Sequence, residues 1–225
     1  MKRFGLVIAI LTEVKALLNT KFKFETLEEK PFTVYKTIIN DNELIIIHSG
    51  CGEILASAAT QHLITKYNVD YIFNYGICGA LRDDLNTLDT CIVKSIINYD
   101  FDTDAIDHLG VGYHYEMGEL YLKPDQELIE KALKIVNLPL YVCASGDKFV
   151  DNNEERDYLK NTFKADICEM ESAGIFMVSK LNNKPCLFIK GVSDSYKGMH
   201  QEYETMAKES AKIAVDIFLN IIENF

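Results

Sequence analysis

The sequence predicts an α/β fold: a single domain, residues 1–225, with a mixed, largely parallel twisted central sheet flanked by helices. Three observations carry that expectation. Short apolar runs of strand length alternate with longer stretches of helical period, the pattern of a layered α/β protein. Glycine or polar clusters follow several of the apolar runs, at the strand ends where such sheets gather their ligands. The 225 residues suffice for one well-buried core, and no composition break or internal repeat divides them.

Phe4 to Leu11 is a continuous apolar run, expected as a strand buried on both faces and followed by a helix from about Glu13 to Thr20. Phe32 to Ile39 and Leu44 to His48 are β-rich around Asn40-Asp41-Asn42-Glu43 and read as a hairpin. Ser49-Gly50-Cys51-Gly52 then turns into an Ala-rich helix from about Glu53 to Tyr67. Tyr71 to Tyr75 reads as a strand ended by Gly76-Ile77-Cys78-Gly79-Ala80, and Thr90 to Ile97 as the next strand.

Asn98 to Tyr121 lacks a clean period and is rich in Asp, His, Gly and Tyr, which predicts a long functional loop. Pro124 opens a helix to about Val136, Leu140 to Ala144 is a strand, and Ser145 to Asn152 is a loop before an acidic-capped helix. Lys164 to Cys168 reads as a strand breaking into a helix with Ala173, Ile175, Phe176, Val178 and Leu181 on its buried side. Cys186 to Val192 is the last strand. The final helix, about Glu202 to Ile222, carries Met206, Ile213, Ile217 and Ile221 on one side.

Composition excludes several function classes. A formal net charge of −11 opposes attraction to phosphate backbones and anionic membranes, so neither nucleic acid nor membrane is expected as a partner. The apolar start after Met1-Lys2-Arg3 is interrupted by Glu13 and Lys15, and no run approaches the roughly 18 apolar residues of a membrane span. Six cysteines stand singly in apolar surroundings without a C-x-x-C pair and are expected as small buried hydrophobes. That usage suits a reducing, cytoplasmic setting. The five histidines have no metal-ligand spacing, so no metal is expected.

The chemistry-bearing segment is Cys168-Glu169-Met170-Glu171-Ser172-Ala173-Gly174-Ile175, followed by Gly191-Val192-Ser193-Asp194. It puts Glu169, Glu171 and Asp194 where apolar elements begin or end, and buried carboxylates are costly without a partner, so a polar ligand is expected there. Glu13, the glycine turns and Ser145 to Val150 fall at the same kind of position and could line the same pocket.

Taken together these segments resemble the purine nucleoside phosphorylase and nucleosidase superfamily, and its 5′-methylthioadenosine/S-adenosylhomocysteine nucleosidase branch in particular. The resemblance runs from Glu13-Val14 through Asn74-Tyr75-Gly76-Ile77-Cys78-Gly79, Ser145-Gly146-Asp147-Lys148-Phe149-Val150 and Glu169-Met170-Glu171 to Ser193-Asp194. It implies a nucleoside phosphorylase-like fold, a small-molecule nucleoside substrate, no cofactor and a homodimer. It also implies roles: Asp194, positioned by Ser193, as the acid that protonates N7, and Glu13 as the residue that deprotonates the attacking water. Glu171, Glu169 and the Met170 backbone match the ribose-binding group, Phe149 and the Val150 backbone hold the base, and Ile77, Cys78 and Gly79 line the pocket.

Phosphorylases of this superfamily carry an Arg where Asn74 stands and a Ser or Thr where Ile77 stands, so the resemblance favours water over phosphate as nucleophile. The nucleosidases commonly have Ser at the Ile77 position and often Arg at that of Lys190. A phosphorylase and a non-catalytic nucleoside-binding protein are the alternatives. In the family the Asn98 to Tyr121 region helps build the pocket for the 5′ substituent, which makes His108, Tyr113, His114 and Met117 candidates for an altered preference.

Overall fold

In a computed structural model, which describes residues 1–225, sixteen elements follow one another. The strands are β1 (Arg3–Ile8), β2 (Glu25–Glu28), β3 (Thr33–Ile39), β4 (Asn42–His48), β5 (Tyr71–Ala80), β6 (Thr90–Asn98), β7 (Leu140–Ser145), β8 (Ile167–Glu169) and β9 (Cys186–Asp194). The helices are α1 (Leu11–Leu18), α2 (Glu53–Tyr67), α3 (Asp104–Asp107), α4 (Gln126–Ile135), α5 (Asn153–Phe163), α6 (Ser172–Leu181) and α7 (Met199–Glu223). No helix is long and apolar enough to cross a membrane.

All strands join one mixed sheet in the order β2-β3-β4-β1-β5-β8-β7-β6-β9. β1 runs parallel to β4 and β5, β5 to β9, and β7 to β6 and β8, while β5–β8 and β6–β9 are antiparallel. Because β5 also pairs with β9, strands β5, β8, β7, β6 and β9 close into a ring. The sheet is thus open on the β2 side and closed on the other.

β1 shows why the first apolar run is continuous. Phe4, Leu6 and Ile8 pack on one face with Val14 and Leu17 of α1 and Phe218 and Ile222 of α7. Val7 faces the opposite layer with Ala56, Ala59 and Leu63 of α2 and Ile175 of α6. The β3–β4 hairpin turns through Asn40 (φ 46°) and Asp41 (φ 62°), a left-handed pair that Asn and Asp tolerate and that matches strand twist. Asp125 caps α4 by accepting from Leu128 N at 2.9 Å, and Asn152 caps α5 by accepting from Glu155 N at 2.8 Å.

Several expectations are corrected. β2 has no counterpart in the sequence reading, because Glu25-Thr26-Leu27-Glu28 is an exposed edge strand with little apolar pattern. The Gly76–Gly79 segment does not end β5 but continues it to Ala80, with a register shift between Cys78 and Gly79. Lys164 does not begin a strand: it ends α5 with left-handed φ 52°, and β8 starts at Ile167. The Asn98 to Tyr121 segment is a loop interrupted by α3. On α6 Leu181 is exposed, and on α7 the buried stripe is Ala211, Ala214, Val215, Phe218 and Ile222, one position off the predicted face for most of its length. Five cysteines are buried as expected, but Cys51 is exposed.

Candidate active site

The site assembles from strand ends and the loops that leave them. Glu13 stands in the first turn of α1, straight after β1. Its Oε2 reaches back to accept from Ile10 N at 3.1 Å, half of a capping box, while Oε1 accepts from Ile77 N of β5 at 2.9 Å. Tyr75 donates its hydroxyl to the Glu13 carbonyl at 2.7 Å, so helix start and strand are locked together. Burial pushes the Glu13 carboxyl above its ordinary value, against the Ile77 and Ile10 N–H groups and the nearby Lys190 ammonium.

Glu169 ends β8 and Lys190 lies in β9, both nearly sealed from water, with Nζ 2.7 Å from Oε2. Glu169 also accepts from the Glu171 and Ser172 amides at 3.1–3.2 Å, and so caps α6. Burial alone would raise the Glu169 carboxyl, but Lys190 outweighs it and holds the group below the carboxylate range. Lys190 is in turn held above its ordinary value, since Glu169 and Glu171 overcome the effect of burial.

Glu171 occupies the N-cap position of α6 yet makes no capping bond with its side chain, because Glu169 has taken that task. Its Oε1 instead accepts from Gly52 N, the residue before α2, at 2.9 Å. Burial, with Glu169 adding like charge, pushes Glu171 up to about 7.

Asp194 is the last residue of β9. Ser193 Oγ lies 2.7 Å from Oδ1 and 3.2 Å from the Cys78 carbonyl, and Arg156 Nη2 lies 2.5 Å from Oδ2. Burial raises Asp194 above its ordinary value, and Ser193 and Arg156 oppose the rise.

These side chains line one cleft. A cavity of about 90 Å³ is bounded by Glu13, Ile77, Cys78, Gly79, Phe149, Glu169, Met170, Glu171, Ser193 and Asp194, together with Ala9, Ile10, Cys51, Cys168 and Tyr203. A smaller recess of about 30 Å³ continues it past Lys148, Val150 and Arg156. Both fall below the ~300 Å³ usual for small-molecule sites, so a nucleoside needs the rim to shift. Phe149, 41% exposed, forms that rim with Tyr203 of α7, their rings edge to face at 5.3 Å. A larger groove, about 700 Å³ between α1 and α7, is bordered by Lys15, Lys21, Lys208 and Lys212 and by none of the buried carboxylates.

The match to known proteins agrees with this geometry. The model of the phosphorylase superfamily matches residues 3–225. The chain belongs to the phosphorylase superfamily. Among curated members it is 24% identical to the aminodeoxyfutalosine nucleosidase of Campylobacter jejuni over 99% of both chains. It is 29% identical to the 5′-methylthioadenosine/S-adenosylhomocysteine nucleosidase of Staphylococcus aureus, over 92% of this chain and 93% of that one. The crystal structure of Helicobacter pylori 5′-methylthioadenosine/S-adenosyl homocysteine nucleosidase superposes with a TM-score of 0.94 at 24% identity, covering 100% of this chain and 99% of that one. That likeness speaks for the fold, which is the nucleoside phosphorylase-like α/β architecture the sequence predicts.

Within this superfamily member, every residue predicted for the site lies in the cleft or its recess. Asn74 does not: its Nδ2 donates to the Val7 carbonyl at 3.0 Å, a cross-strand bond inside the sheet. Cys51, Tyr203 and Arg156 were not predicted. Arg156 was legible in principle, because Arg156, Leu159 and Phe163 share the single buried stripe of an otherwise polar helix.

Proposed function

We propose that this chain hydrolyses the N-glycosidic bond of 5′-modified adenosines, releasing adenine and a 5-substituted ribose. The observation that carries the choice of water is the charge of the cleft: Glu13, Glu169, Glu171 and Asp194 line the larger cavity and no Lys or Arg does. Lys190, the nearest ammonium, is held at 2.7 Å by Glu169. A phosphate dianion entering that cavity would meet carboxylates and no free cation, whereas water would meet a base.

In this reading Asp194 gives its proton to N7 as the bond from C1′ to N9 breaks and its electron pair passes into the base. Such acid assistance is worth on the order of 10²–10⁴ in rate. Glu171 accepts from the ribose hydroxyls and faces the positive charge growing on the sugar. Water bonds to C1′ and gives its proton to Glu13, whose carboxylate is oriented by two backbone N–H groups. Glu169 supports this group by holding Lys190 and the start of α6, Met170 and Phe149 enclose the ligand, and Val150 offers the base edge its N–H, since its carbonyl is taken by Arg156.

The 5′ group is methylthio or homocysteinyl in the substrates that the resemblance implies, and the likeness to an aminodeoxyfutalosine nucleosidase adds a third candidate. A homodimer belongs to the same reading, with exposed Ile54, Leu55, Ile106, Leu109 and Tyr115 as the apolar surface it would cover. The test is adenine release from 5′-methylthioadenosine, S-adenosylhomocysteine and aminodeoxyfutalosine by the purified chain. Base release from at least one is expected. Binding without release from any of the three would leave a nucleoside-binding protein instead.

A further inference from the structure

Arg156 is fully buried, and its guanidinium uses all five N–H donors. Nε and Nη2 donate to the Val150 carbonyl at 3.3 and 3.2 Å, Nη1 to the Ala80 and Ser195 carbonyls at 3.0 and 2.8 Å, and Nη2 also to Asp194 Oδ2. One side chain therefore ties the end of β5, the loop carrying Phe149, the exit from β9 and the Asp194 carboxylate into a single unit. A merely structural arginine would satisfy the three carbonyls without touching the one carboxylate proposed as acid.

The contact has a stereochemical consequence. A guanidinium carries donors and no acceptor, so an oxygen facing it must act as acceptor. Oδ2 is that oxygen. The other oxygen, Oδ1, faces Ser193 Oγ at 2.7 Å, and a hydroxyl can donate or accept. Ser193 has a second acceptor in reach, the Cys78 carbonyl at 3.2 Å. With Asp194 ionised, Ser193 donates to Oδ1; with Oδ1 protonated, Ser193 turns its hydrogen to Cys78 and leaves the acid proton free for a base in the cleft.

We infer that Arg156 is the positioning residue of this site: it fixes Oδ2 as acceptor, so that Asp194 carries its transferable proton on Oδ1, beside Ser193. The inference rests on the proposed role of Asp194 as acid. The fixed cation also favours the carboxylate product of proton transfer, which opposes the effect of burial on Asp194.

The test combines kcat and KM across pH for the wild type, Arg156→Lys and Arg156→Gln with ¹⁵N NMR of the arginine side chains in the wild type, the Arg156 signals being assigned by their loss in Arg156→Lys. The wild-type Arg156 signals should titrate with the midpoint at which kcat falls on the alkaline side. Arg156→Lys keeps the charge but not the fork, and should lower kcat about tenfold or more with KM nearly unchanged and the midpoint in place. Arg156→Gln should move the midpoint up by about one unit or more, since an adjacent arginine lowers an Asp by ~1–3 units. Wild-type kcat in Arg156→Lys, an unmoved midpoint in a folded Arg156→Gln, or Arg156 signals flat through the alkaline limb would overturn the inference. Should Arg156→Gln fail to fold, the lysine variant and the wild-type spectra decide. Should the wild type release no base, the proposed function fails, and the titration of the Arg156 signals by Asp194 still decides whether the contact is as inferred.

Discussion

Gly76 lies directly against Glu13: a methyl carbon built on Gly76 would stand 2.8 Å from Oε1 and 3.6 Å from Lys190 Nζ. Gly79, three residues on, stands in the same relation to Asp194, where the added carbon would meet Oδ2 at 2.8 Å and Arg156 Nη2 at 3.3 Å. The Gly-x-x-Gly segment is thus not a turn. It is a stretch of strand kept bare on the side where two buried carboxylates press against the backbone, which is the close approach that glycine permits.

Gly76→Ala should therefore act on Glu13, and Gly79→Ala on Asp194. Each should lower kcat about tenfold or more, because the carboxylate must leave its position, while overpacking costs about 1–3 kcal/mol of stability. Adenine-release kinetics with thermal melting of both variants checks this. Alanine variants with wild-type kcat would show that neither carboxylate needs its present position.

Lys190→Met should destabilise the fold by about 3–5 kcal/mol, since it leaves Glu169 buried without its partner. The wild-type pair also has a predictable pH window. Glu169 is depressed below its ordinary 4.5, so its contribution is complete above that value and fades as pH falls through the lower folded one. Lys190 is raised above 10.5, so its contribution is complete below that value and fades only as pH rises through the higher folded one. Denaturant unfolding should show the Lys190→Met penalty constant from about pH 5 to 10, and shrinking as the pH is taken below 4.

Glu171, pushed up to about 7, should make substrate binding depend on pH near neutrality. Only the carboxylate accepts from both ribose hydroxyls, so KM should rise about tenfold between pH 8 and pH 6 as Glu171 takes up a proton. Glu171→Gln should have a high KM that no longer changes over that range. The same shift makes Glu171 a destabilising group at higher pH: its raised folded value costs stability as pH climbs from 4.5 to about 7. KM profiles of both proteins, with urea unfolding at the two ends of the range, measure the effect.

The layered α/β pattern and the burial of β1 on both faces were legible because they rest on local periodicity, and Phe4, Leu6 and Ile8 alternate with Val7 between the two layers as a doubly covered strand requires. β2 and the extension of β5 to Ala80 were not, since an exposed edge strand lacks apolar signal and glycine reads as punctuation in one dimension. The need of the buried carboxylates for partners was readable from Glu169, Glu171 and Asp194. The partners themselves were not, because Lys190 and Arg156 are brought to Glu169 and Asp194 by the closing of β5 onto both β8 and β9 and by the packing of α5. For the same reason the sequence groups Glu169 with Glu171, whereas the structure gives Glu169 to Lys190 and the α6 amides and leaves Glu171 facing the cleft.

The choice of nucleophile is tested most directly by turnover of 5′-methylthioadenosine in ¹⁸O-labelled water containing inorganic phosphate, with mass analysis of the sugar product. A cleft lined by four carboxylates and no free cation predicts a reducing sugar carrying one ¹⁸O at C1, formed at the same rate with and without phosphate. A sugar 1-phosphate, formed only when phosphate is present, would contradict it.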